Sequence, residues 1–300
     1  MQIETRRYSV PSGITIVGDV GGDPAHPAVI LQHGGGQTRH SWGKAMRELL
    51  AAGYHVINLD ARGHGDSDWA RDANYTLDAL SEDLRAVMAT VESQPVLVGA
   101  SMGGACSLYT VGRSDEQIAS ALVLVDFIPH LDAEGAQKIA AFMQANPNGF
   151  ANIEEAADAV AAYNPHRPRP GNVSGLMKNL RQRSDGRLHW HWDPQMLLSQ
   201  QRIEPPQLTE TFADAARRVR IPTLLVRGLQ SDIVTAAGMR EFQRLLPSLE
   251  IYDVGGAGHM VAGDDNDAFN RGVIDFLKVH LRSPRETPAF RPARDSGTNF

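Results

Sequence analysis

Apolar residues are distributed along the chain in two alternating patterns. Mostly apolar runs of strand length occur at 28–32, 54–60, 96–98, 121–126, 221–228 and 249–254. Such runs are typical of strands that are buried on both faces of a sheet. Helical spacing separates them, most clearly over 77–91, where Thr76 is placed to cap the helix. Strands that alternate with helices predict a parallel sheet with right-handed crossovers and helices on both faces.

Two further β-rich runs lie at the start of the chain. Residues 3–10 and 14–20 flank the turn Pro11-Ser12-Gly13. This pattern predicts an antiparallel hairpin. The hairpin brings the expected total to eight strands in one mostly parallel α/β sheet.

The alternation of strands and helices breaks after the sixth strand. Residues 127–220 contain short amphipathic helical stretches and no convincing buried strand. We predict a core built from 1–126 and 221–282, with 127–220 inserted as a helical cap over the carboxyl edge of the sheet. The remaining 283–300 are rich in Pro, Arg and Ser without apolar periodicity, which predicts a disordered tail.

Composition and charge narrow the classes of protein to which the chain can belong. Its 300 residues carry a formal net charge of -6 at pH 7, and no basic amphipathic segment is present. These features argue against nucleic-acid and membrane-surface partners. No apolar stretch has the length of a membrane span, and the single cysteine, Cys106, cannot form an internal disulfide. We therefore expect a cytoplasmic protein that acts on a small-molecule substrate, with the oligomeric state left open.

The run Gly99-Ala100-Ser101-Met102-Gly103 stands between an apolar strand and a helix. A serine on so sharp a turn sits in strained backbone, and side chains two residues before and after it would collide, which explains the two glycines. The N-terminus of the following helix favours negative charge that develops beside the serine. We predict that Ser101 is a nucleophile.

A serine hydroxyl attacks efficiently only when a base removes its proton and a third group orients that base. His259 follows the last predicted strand in a glycine-rich loop, and Asp232 follows the strand before it. Both positions lie at the carboxyl edge of the sheet, where catalytic groups collect. Asp126 also ends a strand and is the alternative acid.

An oxyanion that forms during acyl transfer needs hydrogen-bond donors. The backbone amides of Met102 and Gly35 are placed to supply them, and His33 is expected to support the glycine run rather than react. Glycine-rich stretches here match neither a Walker loop nor a dinucleotide fingerprint, so no cofactor is predicted.

Aromatic residues alternate in Leu188-His189-Trp190-His191-Trp192. The two histidines would share one face of an extended segment, as metal ligands do, but no other His, Cys or carboxylate cluster accompanies them. We predict no metal site and favour packing or substrate contact. Trp190 and Trp192 would share the opposite face, where they either contact an acyl or alcohol group or pack the cap against the core.

The chain resembles the α/β-hydrolase family over nearly its whole length outside the cap and tail. The resemblance is carried by five ordered signals: Leu31-Gln32-His33-Gly34-Gly35, Asp60-x-Arg62-Gly63-His64-Gly65-x-Ser67, Gly99-x-Ser101-x-Gly103, Asp232 and Gly258-His259. It implies a triad of Ser101, Asp232 and His259 and a pair of oxyanion donors, Gly35 and Met102. Within the family, the chain resembles cytosolic esterases and cofactor-free perhydrolases that have small helical caps. Because the elbow holds serine and not aspartate, epoxide hydrolase and haloalkane dehalogenase chemistry is disfavoured.

The expected activity is hydrolysis of a small carboxylic ester through an acyl-enzyme. The same triad serves two other reactions, cleavage of a carbon–carbon bond beside a carbonyl and perhydrolysis with peroxide. A hydrolase-like receptor that keeps the triad but turns over slowly is the non-enzymatic alternative.

Overall fold

The computed structural model describes residues 2–130, 133–163, 169, 171–200, 205–231, 233–255 and 267–281. Within these ranges the chain forms ten strands: β1 (Ile3–Ser9), β2 (Thr15–Gly21), β3 (Ala28–Gln32), β4 (His55–Asp60), β5 (Val96–Ala100), β6 (Ala121–Val125), β7 (Leu180–Gln182), β8 (Leu188–Trp190), β9 (Thr223–Gly228) and β10 (Leu249–Val254). The same ranges contain nine α-helices: α1 (Gly43–Ala51), α2 (Leu77–Met88), α3 (Met102–Gly112), α4 (Ala133–Gln144), α5 (Ile153–Tyr163), α6 (Gln195–Gln200), α7 (Pro205–Arg218), α8 (Ala236–Leu245) and α9 (Asp267–His280).

Eight of the strands form one sheet in the order β1-β2-β4-β3-β5-β6-β9-β10. The pairs β1–β2 and β2–β4 are antiparallel, and all other neighbours are parallel. This arrangement confirms the predicted eight-stranded, mostly parallel sheet and its N-terminal hairpin. The sheet places β5 between β3 and β6, so the residues that follow these three strands meet at one edge.

Helices cover both faces of the sheet because successive strand residues point to opposite sides and both sides are apolar. In β5, Leu97 packs into the cluster formed with α2, α3, α7 and α8. Its neighbours Val96 and Val98 pack into the cluster formed with α1 and α9. The start of α2 is capped as predicted, since the Thr76 hydroxyl accepts a hydrogen bond from the amide of Ala79 at 3.3 Å.

The inserted segment (residues 127–220) follows β6 and precedes β9. It contains the predicted short helices, but the prediction that it holds no buried strand is wrong, because β7 and β8 pair as an antiparallel hairpin and two of the three β8 residues are buried. The hairpin turns at Asp185-Gly186, where Gly186 has φ of 77°. An Asp-Gly pair is a strong hairpin signal, since its residues accept positive φ.

Residues of the inserted segment divide between two apolar clusters. Phe150, Trp190 and Trp192 belong to a third cluster, separate from the two that cover the sheet. By contrast, α7 packs directly on α3, where a Cβ on Gly112 would lie 2.4 Å from the carbonyl oxygen of Ala215. The division of the chain into a core and a cap stays a prediction, and the predicted tail at 283–300 lies outside the described residues. None of the helices that the structure describes is long and apolar enough to cross a membrane.

Candidate active site

Ser101 occupies the turn between β5 and α3 at the carboxyl edge of the sheet. Its φ of 46° and ψ of -109° place a non-glycine residue in a rarely populated backbone region, which costs about 1–3 kcal/mol and persists only where the surroundings enforce it. The Ser101 amide donates to the carbonyl of Val125 at the end of β6, at 3.0 Å. Its half-buried side chain borders a cavity at this edge of the sheet.

The two glycines of the elbow are required by close main-chain contacts. A Cβ on Gly99 would lie 2.3 Å from the carbonyl carbon of Gly103. Likewise, a Cβ on Gly103 would lie 2.5 Å from the carbonyl oxygen of Gln32, the last residue of β3. Real Cβ atoms essentially never approach other atoms so closely, so the collision expected from the sequence is present in the structure.

The glycine loop (residues 33–37) follows β3 beside Ser101. Its Gly34 amide donates to the side-chain oxygen of Gln37 at 3.0 Å, and its Gly36 amide donates to Nε2 of His64 at 3.2 Å. Across the part of the chain that the structure describes, the amides of Gly35 and Met102 have no hydrogen-bond partner. Both residues border the same cavity as Ser101. Two donors, one in the glycine loop and one at the start of α3, are therefore available next to the serine.

Three buried imidazoles form hydrogen bonds with the backbone of the glycine loop. We name His33, His64 and His191 the histidine cluster. The ring centroids are 4.9 Å apart between His33 and His64 and 5.7 Å apart between His64 and His191. In each ring one nitrogen accepts from a backbone amide, of Ala61, Gly36 and Gly65 respectively. An imidazole that accepts a hydrogen bond in this way is neutral.

Burial lowers the pKa of each imidazole in the histidine cluster. The effect is large for His64, where neighbouring histidines add to it, and the pKa of His191 falls to about 3. For His33 the nearby Asp60 partly opposes the effect of burial on its pKa. The expectation that His33 supports the glycine loop agrees with its Nδ1, which donates to the Gly34 carbonyl at 2.8 Å.

Asp126 and Ser231 connect the ends of two neighbouring strands. Asp126 follows β6, is buried, and accepts a hydrogen bond from the Ser231 hydroxyl at 2.6 Å. That hydroxyl in turn accepts from the amides of Ile233 at 3.1 Å and Val234 at 3.3 Å. These bonds hold the chain on both sides of position 232. Asp232 itself lies outside the described residues, as does His259.

A cavity of about 350 Å³ opens beside Ser101. This volume is near the lower end of the about 300–1,000 Å³ that is usual for small-molecule sites. One apolar wall comes from the cluster that covers the sheet and includes Leu80, Ala105, Phe127, Leu208 and Phe212. The facing wall comes from the third cluster and includes Ile139, Phe142, Met143, Leu176, Trp190, Trp192 and Met196.

The two tryptophans share a face, as expected for an extended segment. Their rings stack at a centroid distance of 4.9 Å and an interplanar angle of 12°. The two histidines of the segment have separate partners, since His189 bonds to Asp185 and His191 bonds to Gly65 and Gly36. Among the residues described, no group of three or more His, Cys, Asp or Glu could hold a metal ion.

The strained serine at the end of a central parallel strand is the arrangement that defines a nucleophile elbow in the α/β-hydrolase fold. A family model described as the alpha/beta hydrolase fold matches residues 27–265, and the chain belongs to this family.

Several known relatives of the chain are named as an esterase, a lipase or a hydrolase. The sn-1-specific diacylglycerol lipase ABHD11 of Mus musculus is 31% identical over 274 residues, which cover 85% of this chain and 82% of that protein. Esterase Rv0045c of Mycobacterium tuberculosis is 28% identical over 265 residues, 83% of each chain. The crystal structure of E-2-(acetamidomethylene)succinate hydrolase superimposes with a TM-score of 0.81 at 23% identity and covers 92% of this chain and 100% of that one. Hydrolase is thus the enzyme class that these similarities support.

Sequence analysis missed the contributions of His64 and His191 to the glycine loop. His64 was noticed only within the motif after β4, and His191 only as half of a histidine pair. The sequence around these two histidines contained one usable signal. Polar residues on an otherwise buried segment need hydrogen-bond partners inside the protein.

We expect the free energy of unfolding to decrease as the pH falls from 6.5 to 5. The unfolded chain takes up protons in this range while the histidine cluster stays neutral in the fold, so protonation favours unfolding by about 1.4 kcal/mol per pH unit for each fully buried histidine. Urea titrations at pH 7, 6 and 5 would measure the slope. His191, whose neighbours are His33, Arg181 and Asp66, contributes one such proton.

A His191→Gln variant should therefore lose stability less steeply with falling pH. His40 and His55, whose pKa values burial also lowers, contribute equally to both proteins and cancel in the comparison. Equal slopes for the two proteins would show that His191 is protonated in the fold.

Proposed function

We propose that this chain is a serine hydrolase that cleaves a small, uncharged carboxylic ester through an acyl-enzyme. The observation that carries the proposal is the strained elbow of Ser101 at the mouth of an apolar cavity, flanked by the unengaged amides of Gly35 and Met102. The relatives that are named as an esterase and a lipase support the same class of reaction.

In the proposed reaction Ser101 Oγ attacks the ester carbonyl while His259 takes the hydroxyl proton. The carbonyl oxygen becomes an oxyanion, and the amides of Gly35 and Met102 donate hydrogen bonds to it. His259 then gives its proton to the leaving alcohol, and water activated by the same histidine hydrolyses the acyl-enzyme. Asp232 orients His259 throughout, and Asp126 is assigned a separate role as support for the loop that carries Asp232.

The lining of the cavity supports an uncharged substrate. None of the described residues that border the cavity has a charged side chain. The polar groups among them are the side chains of Gln37, Ser41, Tyr75, Thr76, Ser101, Tyr163 and Asn179 and the indole N–H groups of Trp190 and Trp192. Burying an unpaired carboxylate against such walls costs several kcal/mol. The structural relative named for a succinate substrate therefore shares the fold, while the substrate proposed here differs in charge.

Trp190 and Trp192 are proposed to contact the acyl or alcohol group, since both border the cavity. The reaction needs only this small-molecule substrate and water, without a cofactor. The free cysteine, Cys106, is buried and does not border the cavity beside Ser101, which suits the proposed cytoplasmic setting.

Ser101→Ala should abolish ester hydrolysis and leave the fold intact, because it removes one oxygen at the elbow. Turnover of p-nitrophenyl butyrate and covalent labelling by a fluorophosphonate are the measurements, with circular dichroism as the control for folding. Near-native turnover by the variant would rule out Ser101 as the nucleophile.

Asp232→Asn should lower kcat by about 10⁴, as in a well-characterised triad, because the histidine loses its required tautomer. Asp126→Asn should lower it less than about tenfold, since an amide oxygen still accepts from Ser231. Comparing kcat for the two matched variants measures the ranking. The reverse order would assign the acid to Asp126.

The uncharged lining predicts that p-nitrophenyl hexanoate is preferred over the p-nitrophenyl monoester of succinate by at least about 10² in kcat/KM. Leu176→Arg places a cation at the cavity wall and should reduce this preference to about tenfold. Met177→Arg is the matched control, because Met177 is the next residue, is 44% exposed and is not among the cavity residues. A wild-type protein that prefers the succinate ester would contradict the assignment of an uncharged substrate.

A further inference from the structure

His191 joins the inserted segment to two loops of the core. Its Nδ1 accepts from the amide of Gly65 at 2.8 Å, and its Nε2 donates to the carbonyl of Gly36 at 3.4 Å. The side chain is 2% exposed, so both ring nitrogens are satisfied inside the protein. Because His191 follows β8, the glycine loop beside Ser101 is held in part by a residue about 155 positions further along the chain.

The bond to Gly36 acts on a loop whose peptide planes are linked in series. The plane that contains the Gly36 carbonyl also contains the Gln37 amide, which donates to the carbonyl of Gly34 at 3.1 Å. The Gly34 carbonyl shares its own plane with the Gly35 amide. In a trans peptide the C=O and N–H groups point in opposite directions, so fixing the Gly34 carbonyl fixes the direction of the Gly35 amide.

The neighbouring side chains leave Gly36 little room to shift. A Cβ on Gly36, which has φ of 74°, would lie 3.3 Å from the Trp192 ring. That ring meets His191 edge-on at a centroid distance of 5.5 Å. Next along the chain, the amide of Asp193 donates to the carbonyl of Gly63 at 2.9 Å. The segment 190–193 is thus bonded both to the glycine loop and to the loop after β4.

We propose that His191 is a positioning residue for the Gly35 amide, so that the inserted segment completes the oxyanion site of the core. This role rests on the proposed function, in which the Gly35 amide binds the oxyanion. His191 holds the Gly36 carbonyl, and the Gln37 amide that shares its plane holds the Gly34 carbonyl together with His33 Nδ1. The Gly35 N–H is thereby directed toward the carbonyl oxygen of a bound ester.

The test compares His191→Phe with His189→Phe in the full chain. Phenylalanine keeps the ring and removes both hydrogen bonds of His191. His189 is the matched control, since it is also buried and lies in the same segment but bonds to Asp185 rather than to the glycine loop. We expect His191→Phe to lower kcat for p-nitrophenyl butyrate by about tenfold to a hundredfold with KM within about twofold, as for a misdirected oxyanion donor. His189→Phe should change kcat by less than about threefold.

Two smaller substitutions test the two hydrogen bonds of His191 separately. They also replace the phenylalanine variant in the test if that variant does not fold. His191→Gln places an amide donor near the position of Nε2 and should recover most of the activity. His191→Asn reaches only the position of Nδ1, keeps the bond to Gly65 and should stay impaired. A role in packing alone would instead raise KM and lower the melting temperature to a similar degree in both variants.

Fluorophosphonate labelling distinguishes failure of this role from failure of the proposed function. A wild-type protein that neither labels at Ser101 nor turns over the ester would overturn both. A wild-type protein that labels, with His191→Phe labelling at the same rate and turning over equally, would overturn the role of His191 alone. The same conclusion would follow if His189→Phe lost as much activity as His191→Phe.

Discussion

The backbone turn at Ser101 depends on the close approach of three main-chain segments at one edge of the sheet. The elbow of β5 passes between β3 and β6, with Gly103 against the carbonyl of Gln32 and the Ser101 amide bonded to the carbonyl of Val125. A strained residue persists only where its surroundings over-determine it, and here two parallel neighbours do so. The other features of the site follow from that placement, because the loops after β3 and β6 must start beside the serine.

Neutral hydrogen bonds hold the glycine loop beside the elbow. Each imidazole of the histidine cluster both accepts from a backbone amide and donates to a backbone carbonyl, which a charged ring cannot do. Burial keeps the rings uncharged by lowering the pKa of each one. A network of neutral rings fixes the backbone of the glycine loop without placing a permanent charge next to the cavity, and so agrees with walls suited to an uncharged ester.

Local sequence signals predicted the sheet and the elbow because each depends on neighbouring residues. Continuous apolar runs such as β5 and β6 indicated strands covered on both faces, and the spacing of Gly99, Ser101 and Gly103 indicated the turn. The β7–β8 hairpin was missed because each strand has only three residues, although the alternation over 188–192 and the turn at Asp185-Gly186 were usable signals. Asp232 and His259 stay predictions, since both lie outside the described residues.

By itself the sequence determined which backbone positions must be small, which runs are buried on two faces, and which serine stands at the turn, since all of these are set within a few residues. Only the tertiary structure decided which distant groups meet there. His191 reaches Gly36 across 155 positions, and Ser231 reaches Asp126 across 105. The apolar lining of the cavity likewise combines α7 with residues near Trp190. Contacts of this kind join residues that are far apart in the sequence, and no local pattern of residues encodes the path of the chain between them.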